Sequence, residues 1–224
     1  MQISTIKRIF LLVVFGCCMT ACASWHESDF GVVSAIFLKT TVKDSSEVLK
    51  FARGFEYILI EIEGRNTAMA LGNREVLTET GRASLHERWY SGQGEMIHMV
   101  DGRIHTAVGL TVEWRRQRSN PPAWDLLAKS SSAVAWSREL DVMPGYRYGQ
   151  ADRIETQLGI APNGAPALPR DATWFVDQVR SPQSLGGDWA YTQTFAIHQG
   201  RVVYSEQCLA PTVCFKFKPL GMIP

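Results

Sequence analysis

Two stretches of the chain repeat one series of residue types, and this repeat constrains the fold more than any other feature. Trp89–Leu110 and Trp189–Ala210 each run from Trp through Ile-His to a Gly-Arg pair and then to an apolar segment. An apolar segment, a glycine turn and a second apolar segment are typical of a β-hairpin. The offset is 100 residues when the stretches are aligned on Trp and 98 when they are aligned on Gly-Arg. That period favours two related lobes over a solenoid, whose repeats are about 20–50 residues long. The alternative is two unrelated hairpins that share common turn residues.

The alignment also predicts which positions correspond in the two hairpins. A glycine should lie at each turn, an apolar residue should begin each exiting strand, and the two Trp side chains should occupy matching places in two sheets. These pairs are Gly102 and Gly200, Ile104 and Val202, and Trp89 and Trp189.

The remainder of the chain has the pattern of short strands separated by Gly- and Pro-rich turns. Tyr57–Glu63 and Phe215–Lys218 alternate apolar and polar residues, as expected for strands with one buried face. Helical spacing is confined to Asp29–Lys39 and a short segment at Ala123–Lys129. The pattern predicts a mainly β protein: two related lobes of curved antiparallel sheet, half-barrel or sandwich-like, with one or two short helices.

The clearest internal break is Ser119-Asn120-Pro121-Pro122. We therefore expect an N-terminal β lobe with its leading helix at residues 22–118, a linker at 119–132 and a C-terminal β lobe at 133–224. The lobes should meet near this break as one compact unit.

Residues 1–21 are predicted to be a lipoprotein signal peptide. Lys7 and Arg8 precede an apolar stretch that is too short to span a bilayer, and Met19-Thr20-Ala21 leads directly to Cys22. Small residues before a cysteine match the bacterial lipobox, in which Cys22 is acylated; an ordinary signal peptide cleaved at Ala21 or Ala23 is the alternative. The absence of Asp after Cys22 favours the outer membrane, where acyl chains would anchor a periplasmic protein.

Charge excludes some classes of partner. Removal of residues 1–21 leaves 21 basic and 22 acidic residues, so the net charge is −1 with His neutral. This balance gives no support for a nucleic-acid partner or for a polybasic membrane surface.

Beyond the signal region the chain contains two cysteines, Cys208 and Cys214. In an oxidising compartment, two cysteines six residues apart predict a disulfide, with Pro211-Thr212 as the turn between them. A pair of buried free thiols is the alternative.

The residue pattern does not indicate catalysis, a metal or a cofactor. The five histidines, His26, His86, His98, His105 and His198, form no HExxH motif or Cys/His cluster. His98 and His198 recur in the repeat, but a His beside apolar strand residues is more often a partly buried, hydrogen-bonded side chain. We therefore predict no catalytic residues, no metal site and no cofactor.

Aromatic and Arg content give a lead toward glycan binding. All seven Trp follow residue 22, and Arg outnumbers Lys 16 to 7. Trp stacks on the apolar faces of sugars, and Arg forms bidentate hydrogen bonds with acidic groups. The candidate glycan contacts in the repeat are Trp89, Arg103, Trp189 and Arg201. The alternative is that Trp fills the core and Arg decorates the rim.

Several segments together resemble the YjbF/GfcB lipoproteins of capsule and exopolysaccharide operons. Besides the lipobox, the similar segments are Tyr57–Gly64, Met96–Ile104, Thr106–Leu110, Trp189–Glu206 and Phe215–Pro219. The most specific of them is the turn at Val100-Asp101-Gly102-Arg103-Ile104. This resemblance implies an outer-membrane lipoprotein, rich in antiparallel β-structure, that works in assembly or export of a surface polysaccharide.

We therefore expect a non-enzymatic accessory lipoprotein whose partners are the membrane, through its acyl chains, and the polysaccharide or other proteins of the export operon. The alternatives are a lipid or lipoprotein carrier with an apolar trough and a polysaccharide-modifying enzyme.

Overall fold

The strands of this protein follow the short alternating segments of its sequence. The computed structural model describes residues 41–42, 53–62, 65–79, 81–181, 189–210 and 213–222. Within them, burial alternates in the central part of the strand Glu56–Ile62, where Ile58 and Ile60 are buried and Leu59 is partly exposed. Ile60 faces the core, whereas Glu61 lies outside and bonds Lys216 of a neighbouring strand. Because successive side chains of a strand point to opposite faces, one face of this strand lies in the core, as the sequence predicts.

The described residues form thirteen strands and one helix. The strands are β1 (Thr41–Val42), β2 (Glu56–Ile62), β3 (Arg65–Glu79), β4 (Arg82–Tyr90), β5 (Met96–Val100), β6 (Arg103–Val108), β7 (Glu113–Ser119), β8 (Val134–Met143), β9 (Arg147–Leu158), β10 (Thr173–Ser181), β11 (Trp189–His198), β12 (Arg201–Ala210) and β13 (Val213–Met222). The helix α1 (Trp124–Lys129) lies between β7 and β8, where the residues after the two prolines predict it.

In the described part of the chain, β2 to β13 form one closed antiparallel barrel of twelve strands. From β4 to β13 each strand pairs with its neighbour in sequence; β13 then pairs with β2, β2 with β3, and β3 with β4. The two-residue strand β1 adds to the edge of β3 at Thr67 and Asn66.

The predicted open lobes, whether half-barrel or sandwich-like, are therefore wrong. The β7–β8 ladder joins residues on both sides of the Ser119–Pro122 break, for example Gln117 with Leu140. The sheet also closes through seven residue pairs between β13 and β2, near opposite ends of the described chain. Closure gives hydrogen-bond partners to strand edges that two open sheets would leave unpaired.

A bulge in β3 changes which of its side chains face inward. Leu71 is opposite Trp89, but Asn73 is opposite Arg88, so Gly72 is the extra residue. Because side chains alternate with period two, this one-residue shift turns Arg74 to the side of the sheet that Met69 occupies before the bulge.

The interior of the barrel contains two apolar clusters. The larger contains Ile60, Trp89, Ile97, Trp114 and Phe215 among its buried members. The smaller joins the helix to the barrel, because Trp124 and Leu127 of α1 pack with Phe175 and Phe195. Helix α1 therefore covers inward-facing residues of β10 and β11.

The described residues all belong to one compact unit, Phe37–Pro224. None of their helices is long and apolar enough to cross a bilayer. The predicted helix at Asp29–Lys39 and the signal segment lie outside the described residues.

Candidate functional site

A cavity of about 310 Å³ lies between strands β2–β5 and strands β12–β13, bordered by both Gly-Arg turns. Besides the buried polar residue Ser205, its wall includes four buried apolar side chains, Ile58, Trp89, Met99 and Phe217. They come from four strands, and all four belong to the larger apolar cluster. The cavity is therefore a gap in the barrel core that reaches the two hairpin turns.

A chain of alternating charges crosses the same cavity. Arg74 donates from Nη1 and Nη2 to the two carboxylate oxygens of Glu56, each over 2.6 Å, and from Nε to Glu87 Oε1 over 2.8 Å. Arg201 donates from Nη2 to the same Glu87 oxygen over 3.2 Å. Arg74 and Glu87 face each other directly in the β3–β4 ladder. We call Glu56, Arg74, Glu87 and Arg201 the charge chain.

Within the charge chain, the hydrogen bonds between Arg74 and Glu56 favour the charged forms of both groups. Hydrogen bonds from Arg74 hold the pKa of Glu56 below its ordinary value. The bond to Glu56 likewise raises the pKa of Arg74. Glu56 and Arg74 are each about a quarter exposed, and Arg201 is more than half exposed. A ligand in the cavity would therefore meet charged groups that are already paired but still accessible.

Close packing between the two turns forms one side of the cavity. A Cβ atom at Gly102 would lie 2.1 Å from Val202 Cγ2, so only glycine fits there. The buried side chain of Gln207 accepts from Ile104 N over 2.9 Å and donates to Gly102 O over 2.9 Å. Gln207 of β12 thereby fixes the turn between β5 and β6.

Of the four predicted glycan contacts, the structure brings Trp89 and Arg201 together at this cavity. Arg103 lies elsewhere, buried in an ion pair with Asp177 whose distances are 3.2 and 3.3 Å. Trp189 lies at another position in the barrel, where its ring stacks on Tyr191 with centroids 4.1 Å apart. The repeat therefore identifies two residues of the cavity, one from each stretch.

The ion pair of Arg103 has its own environment of aromatic and polar groups. Its guanidinium carbon lies 3.6 Å from the ring centroid of Trp124, a cation–π arrangement. Thr156 Oγ1 donates to Asp177 Oδ1 over 2.5 Å, and Trp136 Nε1 donates to Thr156 Oγ1 over 2.9 Å. Burial lowers the pKa of Arg103, and Asp177 opposes that shift. Arg103, Asp177 and Thr156 are buried, so this network has the character of a structural centre.

Three histidines on adjacent strands form a cluster that the sequence did not reveal. His86 Nδ1 lies 3.1 Å from His98 Nε2, and the ring centroids of His98 and His105 are 5.1 Å apart. Burial, followed by the charges of His105 and Arg88, lowers the pKa of His98 to about 4. No group of His, Cys, Asp and Glu in the described residues has an arrangement that could hold a metal ion. His98 is thus a partly buried, hydrogen-bonded side chain, as its apolar neighbours suggested.

The remaining members of the charge chain, Glu56, Arg74 and Glu87, were also missed by sequence reasoning. A regular alternation from Met69 would place Arg74 on the outer face, and only the bulge at Gly72 brings it inward. A glycine inside a strand pattern is a signal for a bulge, but it does not fix the register of the paired strand.

Cys208 and Cys214 are joined as a disulfide between β12 and β13. They face each other directly in the ladder that these strands form. Cys22, the predicted acylation site, lies outside the described residues.

Comparisons with known proteins agree with this architecture. The family model described as "Group 4 capsule polysaccharide lipoprotein gfcB, YjbF" matches residues 55–215. Among solved structures, the chain is similar to the hypothetical lipoprotein YmcC from Escherichia coli (K12), with a TM-score of 0.56 and 16% identity over 80% of this chain and 89% of that chain. At that identity the likeness shows the fold alone. No curated protein matches the chain significantly.

Proposed function

The chain belongs to the YjbF family of group 4 capsule polysaccharide lipoproteins, and from this premise we propose that it is a periplasmic lipoprotein anchored to the outer membrane, acting as a non-enzymatic accessory in assembly or export of a capsule or exopolysaccharide. The observation that carries the proposal is the family match, which extends over most of the barrel. The lipobox that ends at Cys22 supports the anchor, because acyl chains on that residue would hold the barrel at a membrane surface.

A binding role is favoured over catalysis by the state of the cavity's carboxylates. A general acid needs a carboxyl group whose pKa is raised toward the working pH. Glu56 has a lowered pKa instead, because Arg74 donates two hydrogen bonds to it. Glu87 is also occupied, since it accepts from both Arg74 and Arg201. These carboxylates are arranged for fixed hydrogen bonding rather than for proton transfer.

The test is deletion of the gene with separate measurement of surface and periplasmic polysaccharide. We expect surface polysaccharide to fall while polymer or its intermediates accumulate inside the cell envelope. The full-length chain should restore export. Unchanged surface polysaccharide in the deletion strain would contradict the proposal.

The anchor is tested separately with Cys22→Ala. This variant should remain an unlipidated precursor that does not float with outer membranes in a density gradient. A variant that still fractionates there and incorporates labelled palmitate would rule out Cys22 as the anchor.

The alternative of a lipid carrier is supported by a second cavity, whose lining mixes apolar residues with polar ones. It has a volume of about 290 Å³, and apolar residues including Ile60, Met69, Ile97, Leu110 and Phe215 line it. Mass spectrometry of lipid extracted from the purified full-length chain distinguishes a lipid carrier from an accessory lipoprotein. Recovery of a stoichiometric lipid beyond the acyl anchor would favour the carrier, and its absence would favour the accessory role.

A further inference from the structure

We propose that the cavity between the two Gly-Arg turns binds a single neutral sugar residue of the polysaccharide, with Trp89 in its wall and the charge chain as the partner of the sugar hydroxyls. This inference rests on the proposed function for the class of ligand. It goes beyond that function in assigning a binding site and its residues.

The lining of the cavity combines the two surfaces that a sugar ring requires. One is the apolar wall of Ile58, Trp89, Met99 and Phe217, which can receive the C–H face of a ring. The other is the charge chain, whose oxygen and nitrogen atoms can bond hydroxyls. A few placed polar groups within an apolar cavity are typical of small-molecule sites.

The charge pattern favours a neutral ligand. Glu56 and Glu87 alternate with Arg74 and Arg201, so the four side chains carry no net charge together. An anionic ligand would meet these two carboxylates and that of Asp101, which also lines the cavity and pairs with Arg82, and a cationic ligand would meet two guanidinium groups. A hydroxyl group both donates and accepts, so it can bond a carboxylate and a guanidinium of the same chain. A neutral polyol therefore fits this arrangement better than either ion.

The two Arg residues differ in how much bonding capacity they have left. Arg74 uses three nitrogens on Glu56 and Glu87. Within the described part of the chain, Arg201 makes one bond, from Nη2 to Glu87, and its side chain is 57% exposed. Arg201 can therefore turn toward a ligand without breaking the Glu56–Arg74–Glu87 part of the chain.

Trp89 supplies a further observation. It is 2% exposed, and its Nε1 has no hydrogen-bond acceptor among the described residues. A buried N–H without a partner is costly, so a small shift of the ring that brought this group to a ligand hydroxyl would favour binding. Its volume of about 310 Å³ places the cavity at the low end of the range of about 300–1,000 Å³ for small-molecule sites. That size suits one ring, such as a chain end or a branch, rather than a stretch of polymer.

The experiment follows fluorotryptophan signals by ¹⁹F NMR in the full-length protein, purified in detergent. The probes are glucose, galactose and N-acetylglucosamine as neutral sugars, with glucuronate as the anionic comparison. Trp89→Phe assigns the Trp89 signal. We expect at least one neutral sugar to shift that signal in a saturable manner and glucuronate to bind more weakly.

Arg201→Gln tests the charge chain, and Arg118→Gln is its matched control. Arg118 is similarly exposed and pairs with Glu139 away from the cavity. Loss of a charge-assisted hydrogen bond in Arg201→Gln should weaken sugar binding about tenfold. Arg118→Gln should bind like the unaltered protein. Absence of any neutral-sugar shift, preference for glucuronate, or equal binding by both variants would each overturn the proposal.

The outcome also separates this inference from the proposed function. If no sugar binds but deletion of the gene still lowers surface polysaccharide, the sugar site is wrong and the accessory function stands. If sugars bind but deletion leaves polysaccharide unchanged, the site stands and the proposed function fails.

Discussion

The β5–β6 and β11–β12 hairpins share their turn geometry in detail. Asp101-Gly102 and Gln199-Gly200 are two-residue turns in which both residues have positive φ, the pattern of a type I′ turn. Each exiting strand then has a bulge at the same distance from its turn. His105 is the extra residue of the bulge in β6, and Val203 is the extra residue of the bulge in β12. The predicted match of Gly102 with Gly200 and of Ile104 with Val202 is therefore confirmed.

The surroundings of the two hairpins differ, and the difference begins before each turn. Trp89 lies on β4, a separate strand from the β5–β6 hairpin, whereas Trp189 is the first residue of β11 itself. The predicted equivalence of these Trp residues is wrong. After the turns, Arg103 is buried and Arg201 is exposed. The comparison teaches that a turn sequence sets local geometry, while neighbouring strands decide what each matched side chain does.

The largest expected difference in folding stability is between the variants Arg103→Ala and Arg201→Ala. Arg103→Ala would leave the buried carboxylate of Asp177 without its guanidinium partner and should cost about 3–5 kcal/mol. Arg201→Ala removes an exposed pair with Glu87 and should cost about 0–1 kcal/mol. Denaturant midpoints at constant m-value measure both changes. Similar costs for the two variants would mean that the hairpins have equivalent surroundings after all.

The two Trp residues should give the next largest contrast. Trp89→Ala would open a cavity in the core and should cost about 3–5 kcal/mol. Trp189 is partly exposed and its ring stacks on Tyr191, so Trp189→Ala should cost about 1 kcal/mol for that ring pair. The same unfolding measurement applies. A larger loss in Trp189→Ala would restore the matching positions that the repeat suggested.

Substitution of the two turn glycines by Ala should give a smaller difference in stability. Gly102 and Gly200 have φ angles of 78° and 76°, so Ala is strained at both and should cost about 1–2 kcal/mol. At Gly102 the added Cβ would also collide with Val202, whereas nothing lies within 4 Å of a Cβ at Gly200. Overpacking should therefore add about 1–3 kcal/mol in Gly102→Ala alone. Restoration of stability by Val202→Ala in the same chain would confirm the collision, and its failure would contradict it.

These contrasts also show how far the sequence predicts the fold. Period-two alternation and glycine turns are local, so the strands, both hairpin turns and helix α1 could be predicted. Barrel closure could not, because it depends on long-range pairs such as Phe217 with Ile60 that alternation does not specify.

The residues of the candidate site could likewise be predicted only in part. Trp89 and Arg201 were found because each belongs to a repeated stretch. Arg74 and Glu87 were missed because the register after the Gly72 bulge decides that they face each other. The side of the sheet on which a charged residue lies is a property of pairing, which a single strand's sequence does not contain.

The smallest expected effect concerns His98 and His198, the two histidines of the repeated Ile-His pairs. They are not equivalent, because His98 is opposite Thr106 and His198 is opposite Arg201 beside the turn. Burial, followed by the charges of His105 and Arg88, lowers the pKa of His98 from 6.5 to about 4. Between these values the unfolded chain binds a proton that the folded chain does not, so stability falls as the pH is lowered from about 6.5 toward about 4.

His98→Gln should remove part of this acid sensitivity. The measurement is the difference between the melting temperatures at about pH 7 and about pH 5. That difference should be smaller in His98→Gln than in the unaltered protein, whatever the variant's stability at neutral pH. His198→Gln is the matched control, because its ring lies 3.2 Å from the carboxylate of Asp171 rather than among other histidines. If both variants reduce the difference in melting temperature equally, or if His98→Gln leaves that difference unchanged, the histidine cluster is not the source of the acid sensitivity.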